Sequence, residues 1–231
     1  MTLSEDLCRS RVTIVLDPAV DKFDFLAEDA VLIEPLAAIA QKISPQAEKI
    51  INSAALKPGN SAPNFTLTSA FGTTVKLTRL LKDGPIVVVF FRGIWCPFCN
   101  LYLSNLQSSL AEIRKLGATL IAISPQTPDY ALAAIDKNHL TFEVLSDMGN
   151  QVARKFGVTI SLPPEMADFH ESLGIYLSQY NGDDSDELPI PAVFIIRPDG
   201  QIATTIFSPD YTIRPKADKI VAAVGEIKRG K

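Results

Sequence analysis

Cysteine, histidine and tryptophan are scarce in this 231-residue chain, with three, two and one copies, and each scarcity removes a class of function. Three cysteines cannot build the disulfide framework of a small secreted domain. A zinc site would need a second ligand pair beside Cys96 and Cys99, but Cys8, His139 and His170 are scattered along the chain. A basic excess is missing too: 22 Lys and Arg against 26 Asp and Glu give a formal net charge of −4, which argues against nucleic acid or an anionic membrane surface as partner. No apolar run approaches the ~20 residues of a membrane span. The stretch Met1–Asp6 is acidic where a secretory leader is basic, and no long apolar segment follows, so a reducing cytoplasm is the expected compartment. The 12 glycines are dispersed and form no phosphate-cradling loop. The acidic run Asp183–Glu187 lacks the spacing of a calcium loop and reads as a solvated loop. Neither a cofactor nor a metal is expected.

What the chain does have is Trp95-Cys96-Pro97-Phe98-Cys99, set between an unbroken apolar run, Ile86–Phe91, and the helical pattern Asn100–Leu116. A strand that feeds two thiols, three residues apart, into a helix start is redox architecture. Cys96 is expected at the N-cap, where unpaired N–H groups and the positive end of the helix dipole favour thiolate over thiol. Pro97 then occupies the first helical position, where its missing N–H costs nothing. Cys99 follows one turn on, within disulfide reach and turned further inward. Two plainer readings stand beside it: half a zinc site, for which the sequence offers no second ligand pair, and inert packed cysteines; the redox reading is preferred to both. Cys8 has no partner in the sequence and reads as a spectator.

With 47% hydrophobic residues the chain can bury a full core without staples. Residues 1–57 carry apolar residues at helical spacing in Ile33–Ile43 and Pro45–Leu56, interrupted by Pro18, Pro35 and Pro45. They predict a mainly helical extension of short helices that packs on the main domain, or on a second subunit as in a homodimer; Val12–Leu16 is open between strand and helix. Lys57-Pro58-Gly59-Asn60 marks the boundary to a domain over 58–231. There the pattern predicts a hairpin (Asn64–Leu67, Val75–Leu77), strands at Ile86–Phe91, Thr119–Ser124, Glu143–Leu145, Ala192–Ile196 and Ile202–Phe207, and helices at Asn100–Leu116, Pro128–Asn138, Asn150–Phe156 and near Pro215–Lys228. The fold class is α/β, with a connector over 158–189 long enough to hold short elements of its own.

Gly59-x-x-Ala62-Pro63-x-Phe65-x-Leu67, the strand with its dithiol, Ser124-Pro125, Leu145-Ser146-Asp147 through Val158, and Phe194-Ile195-Ile196 before Asp199-Gly200 recur in order. Over roughly residues 59–212 this series resembles peroxiredoxins of the alkyl hydroperoxide reductase/thiol-specific antioxidant family, in particular the peroxiredoxin-like branch carrying Arg-Gly-x-Trp-Cys-Pro-Phe/Tyr-Cys. The resemblance implies a thioredoxin-like fold, a central mixed sheet flanked by helices, and reduction of hydroperoxides. Cys96 would be the peroxidatic nucleophile and Cys99 the resolving thiol, with regeneration by thioredoxin, another dithiol or glutathione.

Typical members place Pro seven and Thr three residues before the peroxidatic Cys and an Arg on a late strand. Counted from Cys96, those positions hold Val89, Gly93 and Pro191. Arg92 is the nearest cation; it either replaces that Arg or forms a salt bridge facing solvent. Ile190-Pro191-Ala192 resembles instead the cis-proline segment that faces the dithiol in thioredoxins, and Trp95 before the first Cys is shared with them, but their buried acid is replaced by Phe90. A thioredoxin-like thiol–disulfide oxidoreductase is therefore the second reading, and a non-enzymatic redox sensor or binding module the third.

Overall fold

The computed structural model describes the backbone of residues 11–14 and 23–229 and the side chains of residues 31–229, so Cys8 lies outside it. Strands β1 (Arg11–Ile14) and β2 (Phe23–Leu26) pair antiparallel ahead of helix α1 (Ala27–Ser53). Strands β3 (Thr66–Ser69) and β4 (Thr74–Lys76) make the expected hairpin, followed by the single turn α2 (Leu77–Leu80). Then come β5 (Ile86–Phe90), α3 (Pro97–Lys115), β6 (Thr119–Ser124), α4 (Pro128–Asn138), β7 (Glu143–Ser146) and α5 (Gln151–Lys155). The long connector does hold elements of its own: β8 (Thr159–Ser161), α6 (Pro164–Ser172), α7 (Leu177–Asn181) and β9 (Glu187–Pro189). Strands β10 (Ala192–Ile196) and β11 (Ile202–Phe207) and helix α8 (Ala217–Arg229) close the chain.

The described residues form a seven-stranded sheet in the order β11-β10-β5-β6-β7-β3-β4. Strands β5, β6 and β7 run parallel, while β10 lies antiparallel on the other side of β5. Every residue of β5 and β10 is buried, as their unbroken apolar sequences require for strands covered on both faces. Brought to the sheet centre in this way, the end of β5 delivers the dithiol into the interior rather than to an edge.

Residues 27–53 form one continuous helix, where the prolines predicted two short ones. An internal proline costs about 3 kcal/mol. Against that, Ile33, Leu36, Ile39, Ala40, Ile43, Ala47 and Ile51 are all buried on one face of α1, each apolar side chain contributing about 1.5–3 kcal/mol for the larger residues. This face joins the core of the same chain, so α1 packs on the main domain. Its end is fixed where Leu56 N–H donates to Phe156 O at 3.1 Å. Gly157 makes that approach possible: its φ is +71°, and a Cβ there would stand 2.1 Å from Ala54 O. Gly157→Ala is expected to lower the melting temperature by roughly 5–15 °C; an unchanged melting temperature would show that α1 is not held at this point.

Candidate active site

Cys96 is the N-cap of α3, with extended backbone at φ −92° and ψ 111°, and Pro97 opens the helix. The backbone carbonyl of Cys96 accepts the first helical hydrogen bonds, from Cys99 N–H at 3.0 Å and Asn100 N–H at 3.1 Å. The Cys96 sulfur, however, makes no capping hydrogen bond. The loop ahead of it is tied down by polar side chains that a buried backbone needs: Gln126 Oε1 accepts from Ile94 N–H at 2.9 Å, and Asn100 Nδ2 donates to Ile94 O at 2.7 Å. Gly93 lets the Trp95 indole fold back against this loop, since a Cβ there would lie 2.5 Å from Trp95 Nε1.

Both cysteines are free thiols without exposed surface, and their side chains are hydrogen-bonded to each other. Two guanidinium groups converge on them. Arg214, half-buried in the segment between β11 and α8, places Nη2 3.4 Å from Cys99 Sγ. Its Nη1 donates to the carbonyls of Tyr211 and Ile213, which fixes its direction. Arg92 is buried, its guanidinium 3.7 Å from the centroid of the Tyr211 ring and 4.8 Å from that of Trp95. The alternative of a solvent-facing salt bridge for Arg92 is thereby overturned: it is 2% exposed, and no carboxylate pairs with it among the described residues. A buried cation without a carboxylate is costly unless another anion compensates it, and the nearby sulfurs are the groups able to supply one.

His170 completes the support of Arg92. Its Nδ1 lies 2.7 Å from Met166 O, which can only accept, so Nδ1 carries the proton and Nε2 is free to accept from Arg92 Nη2 at 3.3 Å. Burial, with the Arg92 charge beside it, pushes the His170 pKa down to about 4. Between about 4 and the unfolded value of about 6.5 the unfolded chain therefore binds a proton that the folded chain does not, so this contribution rises with pH across the window and is lost on acidification. It amounts to about 3 kcal/mol. Asp147, whose pKa burial raises to about 6, works in the opposite sense over a similar range. The expected signature is hence a difference: His170→Gln should flatten the slope of unfolding free energy against pH between 4 and 6.5, and an identical slope in both proteins would show that His170 is not held neutral.

Cys96 does not titrate as its N-cap position predicts. Burial raises it well above an ordinary thiol, and its hydrogen bond to Cys99 and the charge there add to the effect, outweighing Arg92 and Arg214. At Cys99 burial acts in the same direction but is overcome by the hydrogen bond from Cys96, the Arg214 charge, the backbone N–H of Arg92 and the Arg92 charge, leaving it well below an ordinary thiol. The physical reason is directional: the donors point at the sulfur one turn into the helix, not at the cap.

Pro191 also differs from expectation. Among the described residues no peptide bond is cis, so Ile190–Pro191 is trans. Ile190 N–H donates to Val158 O at 2.7 Å, Pro191 O accepts from Ser208 N–H at 2.9 Å, and Ala192 pairs at once with Phe90. The segment runs straight into β10 instead of turning. Of the residues singled out in the sequence, Arg92, Trp95, Cys96, Pro97 and Cys99 are gathered around the dithiol. Arg214, Tyr211, His170, Gln126 and Asn100 were not anticipated; the first four come from three other stretches of the chain and Asn100 from the first turn of α3, and nothing local marks them.

Fold and site together define a thioredoxin-fold protein with a buried dithiol at the start of the helix that follows its central strand. Residues 58–205 match the model of the AhpC/TSA family, and the chain belongs to that family. Among curated relatives it is 32% identical over 103 residues to Peroxiredoxin Bcp of Escherichia coli (strain K12), covering 45% of this chain and 65% of the relative. It is 31% identical over 120 residues to the chloroplastic Peroxiredoxin Q of Populus jackii, covering 51% and 56%. The chain thus spans between about half and two thirds of the length of these relatives. Among solved structures, peroxidoxin BcpB from Mycobacterium tuberculosis superposes with a TM-score of 0.58 at 24% identity, over 73% of this chain and 96% of that one. A peroxiredoxin-like protein from Aquifex aeolicus gives 0.60 at 21% identity, over 75% and 88%. These structural likenesses concern the fold. No described helix is long and apolar enough to cross a membrane.

Proposed function

We propose that this protein is a thiol peroxidase that reduces hydrogen peroxide or an organic hydroperoxide with the Cys96–Cys99 pair. The observation that carries this reading is the burial of both sulfurs beside two guanidinium groups. A sulfur without exposed surface is far harder to reach for the disulfide of a folded client, whose attack needs three sulfurs in line, than for a small hydroperoxide. Cations beside a thiolate also stabilise the charge that develops on the departing peroxide oxygen. In the cycle one thiolate becomes a sulfenic acid, the second thiol condenses with it, and a Cys96–Cys99 disulfide forms with release of water. Thioredoxin, another dithiol or glutathione would restore both thiols by exchange, as a reducing cytoplasm allows.

Disulfide exchange with a protein client remains the second reading, but the features that favoured it are weakened by the trans Ile190–Pro191 bond and by Phe90 in the place of an acid. Trp95, the sole tryptophan, packs beside the site and reports on it. In stopped-flow fluorescence, the reduced protein is expected to respond to hydrogen peroxide or an organic hydroperoxide at least about tenfold faster than to oxidised thioredoxin at equal concentration. The opposite order would turn the assignment to an oxidoreductase of disulfides.

A further inference from the structure

We infer that Cys99, not the N-cap Cys96, is the thiol that attacks the peroxide, and that Arg214 is a catalytic residue that holds its thiolate and the incoming oxygen. This deepens the peroxidase reading and rests on it. Three groups favour the Cys99 thiolate: Arg214, whose Nη2 donates to its sulfur at 3.4 Å, the backbone N–H of Arg92, and the thiol of Cys96. They arrive from the β11–α8 segment, from the end of β5 and from the helix cap, so the sulfur sits in a cradle assembled from three parts of the chain. The Cys96 sulfur makes no capping hydrogen bond to the helix N–H groups. A position at a helix start supplies thiolate stabilisation only when the sulfur faces the dipole; here the donors have been collected elsewhere.

Arg214 differs from Arg92 in a way that matters for substrate. Arg92 is enclosed between Tyr211 and Trp95, whereas Arg214 is partly exposed, so the side chain that touches Cys99 also reaches towards solvent. Further buried donor groups in this neighbourhood lack partners: Arg92 Nη1, Trp95 Nε1, Gln126 Nε2 and the Tyr102 hydroxyl. Unpaired buried donors suit a hydroperoxide, whose two oxygens both accept hydrogen bonds.

The chemistry balances with the groups present. The Cys99 thiolate attacks the terminal oxygen of the hydroperoxide; an S–O bond forms, the O–O bond breaks, and sulfur gives up the two electrons that the peroxide gains. The departing alkoxide or hydroxide takes the proton of the Cys96 thiol, which is buried at the helix start one turn from the reacting sulfur. Cys96, now a thiolate, attacks the Cys99 sulfenic sulfur; the S–S bond forms, the S–O bond breaks, and hydroxide leaves to take a proton from solvent. Cys96 is thereby proton donor first and resolving nucleophile second, and its high affinity for the proton before the first step fits that order.

The test compares Cys96→Ser and Cys99→Ser in the full reduced chain, each treated with hydrogen peroxide and dimedone, with adducts located by tandem mass spectrometry so that Cys8 is told apart. Cys96→Ser, which keeps a hydroxyl donor, is expected to form a sulfenic acid on Cys99 at least a hundredfold faster than Cys99→Ser forms one on Cys96. Replacing Arg214 by Met in the Cys96→Ser protein should slow that reaction tenfold or more, with partial rescue by Lys. Should a serine at either position disturb folding, the wild-type protein with less than one equivalent of peroxide is expected to carry the trapped adduct on Cys99. Faster oxidation of Cys96, in either format, overturns the inference and leaves the peroxidase reading in place. Oxidation of neither above the rate of free cysteine removes both. Unchanged rates in the Arg214 variants overturn the role of that arginine.

Discussion

Serine at either Cys96 or Cys99 is expected to cut multiple-turnover peroxide reduction with thioredoxin as reductant by roughly a hundred- to a thousandfold, and the double variant should be no worse than the worse single one. Residues that act as one unit in a cycle are not additive, because losing either stops the same sequence of steps. The two sulfurs are free and buried in one site, and no third cysteine lies there among the described residues to take the place of either. Cys8→Ser is the control and should retain wild-type turnover. A serine variant at 96 or 99 with undiminished turnover in a coupled assay would show that the missing sulfur takes no part.

Arg92→Met should separate activity from stability. The guanidinium is buried without a carboxylate partner among the described residues, and a well-packed apolar side chain in place of a buried charge is often neutral or stabilising. Unfolding free energy is therefore expected to stay within about 1 kcal/mol of wild type or to rise. Peroxide reactivity, in contrast, should fall by roughly tenfold to a hundredfold, because a fixed charge near the reacting sulfurs is removed from a site that excludes water. Arg92→Lys should not restore the rate, since an ammonium cannot reproduce the flat stack between Tyr211 and Trp95 or the bond to His170. A variant with normal peroxide kinetics and reduced stability would assign Arg92 a purely structural role.

The elements nearest the dithiol were legible because their signals are local. Ile86–Phe90 is apolar without alternation, Pro97 can open a helix but not continue one, and Thr119–Ser124 and Ala192–Ile196 fall where the pattern places them. Helix α1 was misread as two because local backbone preference at Pro35 and Pro45 opposes what its buried face gains from packing, and packing is not written in the window around a proline. The places of the short strands and helices of the connector, β8, α6, α7 and β9, depend likewise on partners distant in sequence.

An α/β protein of the AhpC/TSA family was legible from the residues alone: a hydrophobic strand, two thiols three residues apart and a helix are consecutive, so their order in the fold is carried by one short stretch. Which sulfur the Arg214 guanidinium reaches was decided only by the tertiary structure. Counted from Cys99, the positions three and seven residues earlier are Cys96 and Arg92, and both reach its sulfur, yet the spacing is informative only once that sulfur is known to be the stabilised one. Arg214 lies 115 residues beyond Cys99 in a segment without a recognisable pattern, and its guanidinium meets the thiol because β11 and α8 bring the chain back across the end of β5. Electrostatic stabilisation falls off with distance in space, not along the chain, which is why the strand, the helix and the dithiol could be read directly while the charge that governs them could not.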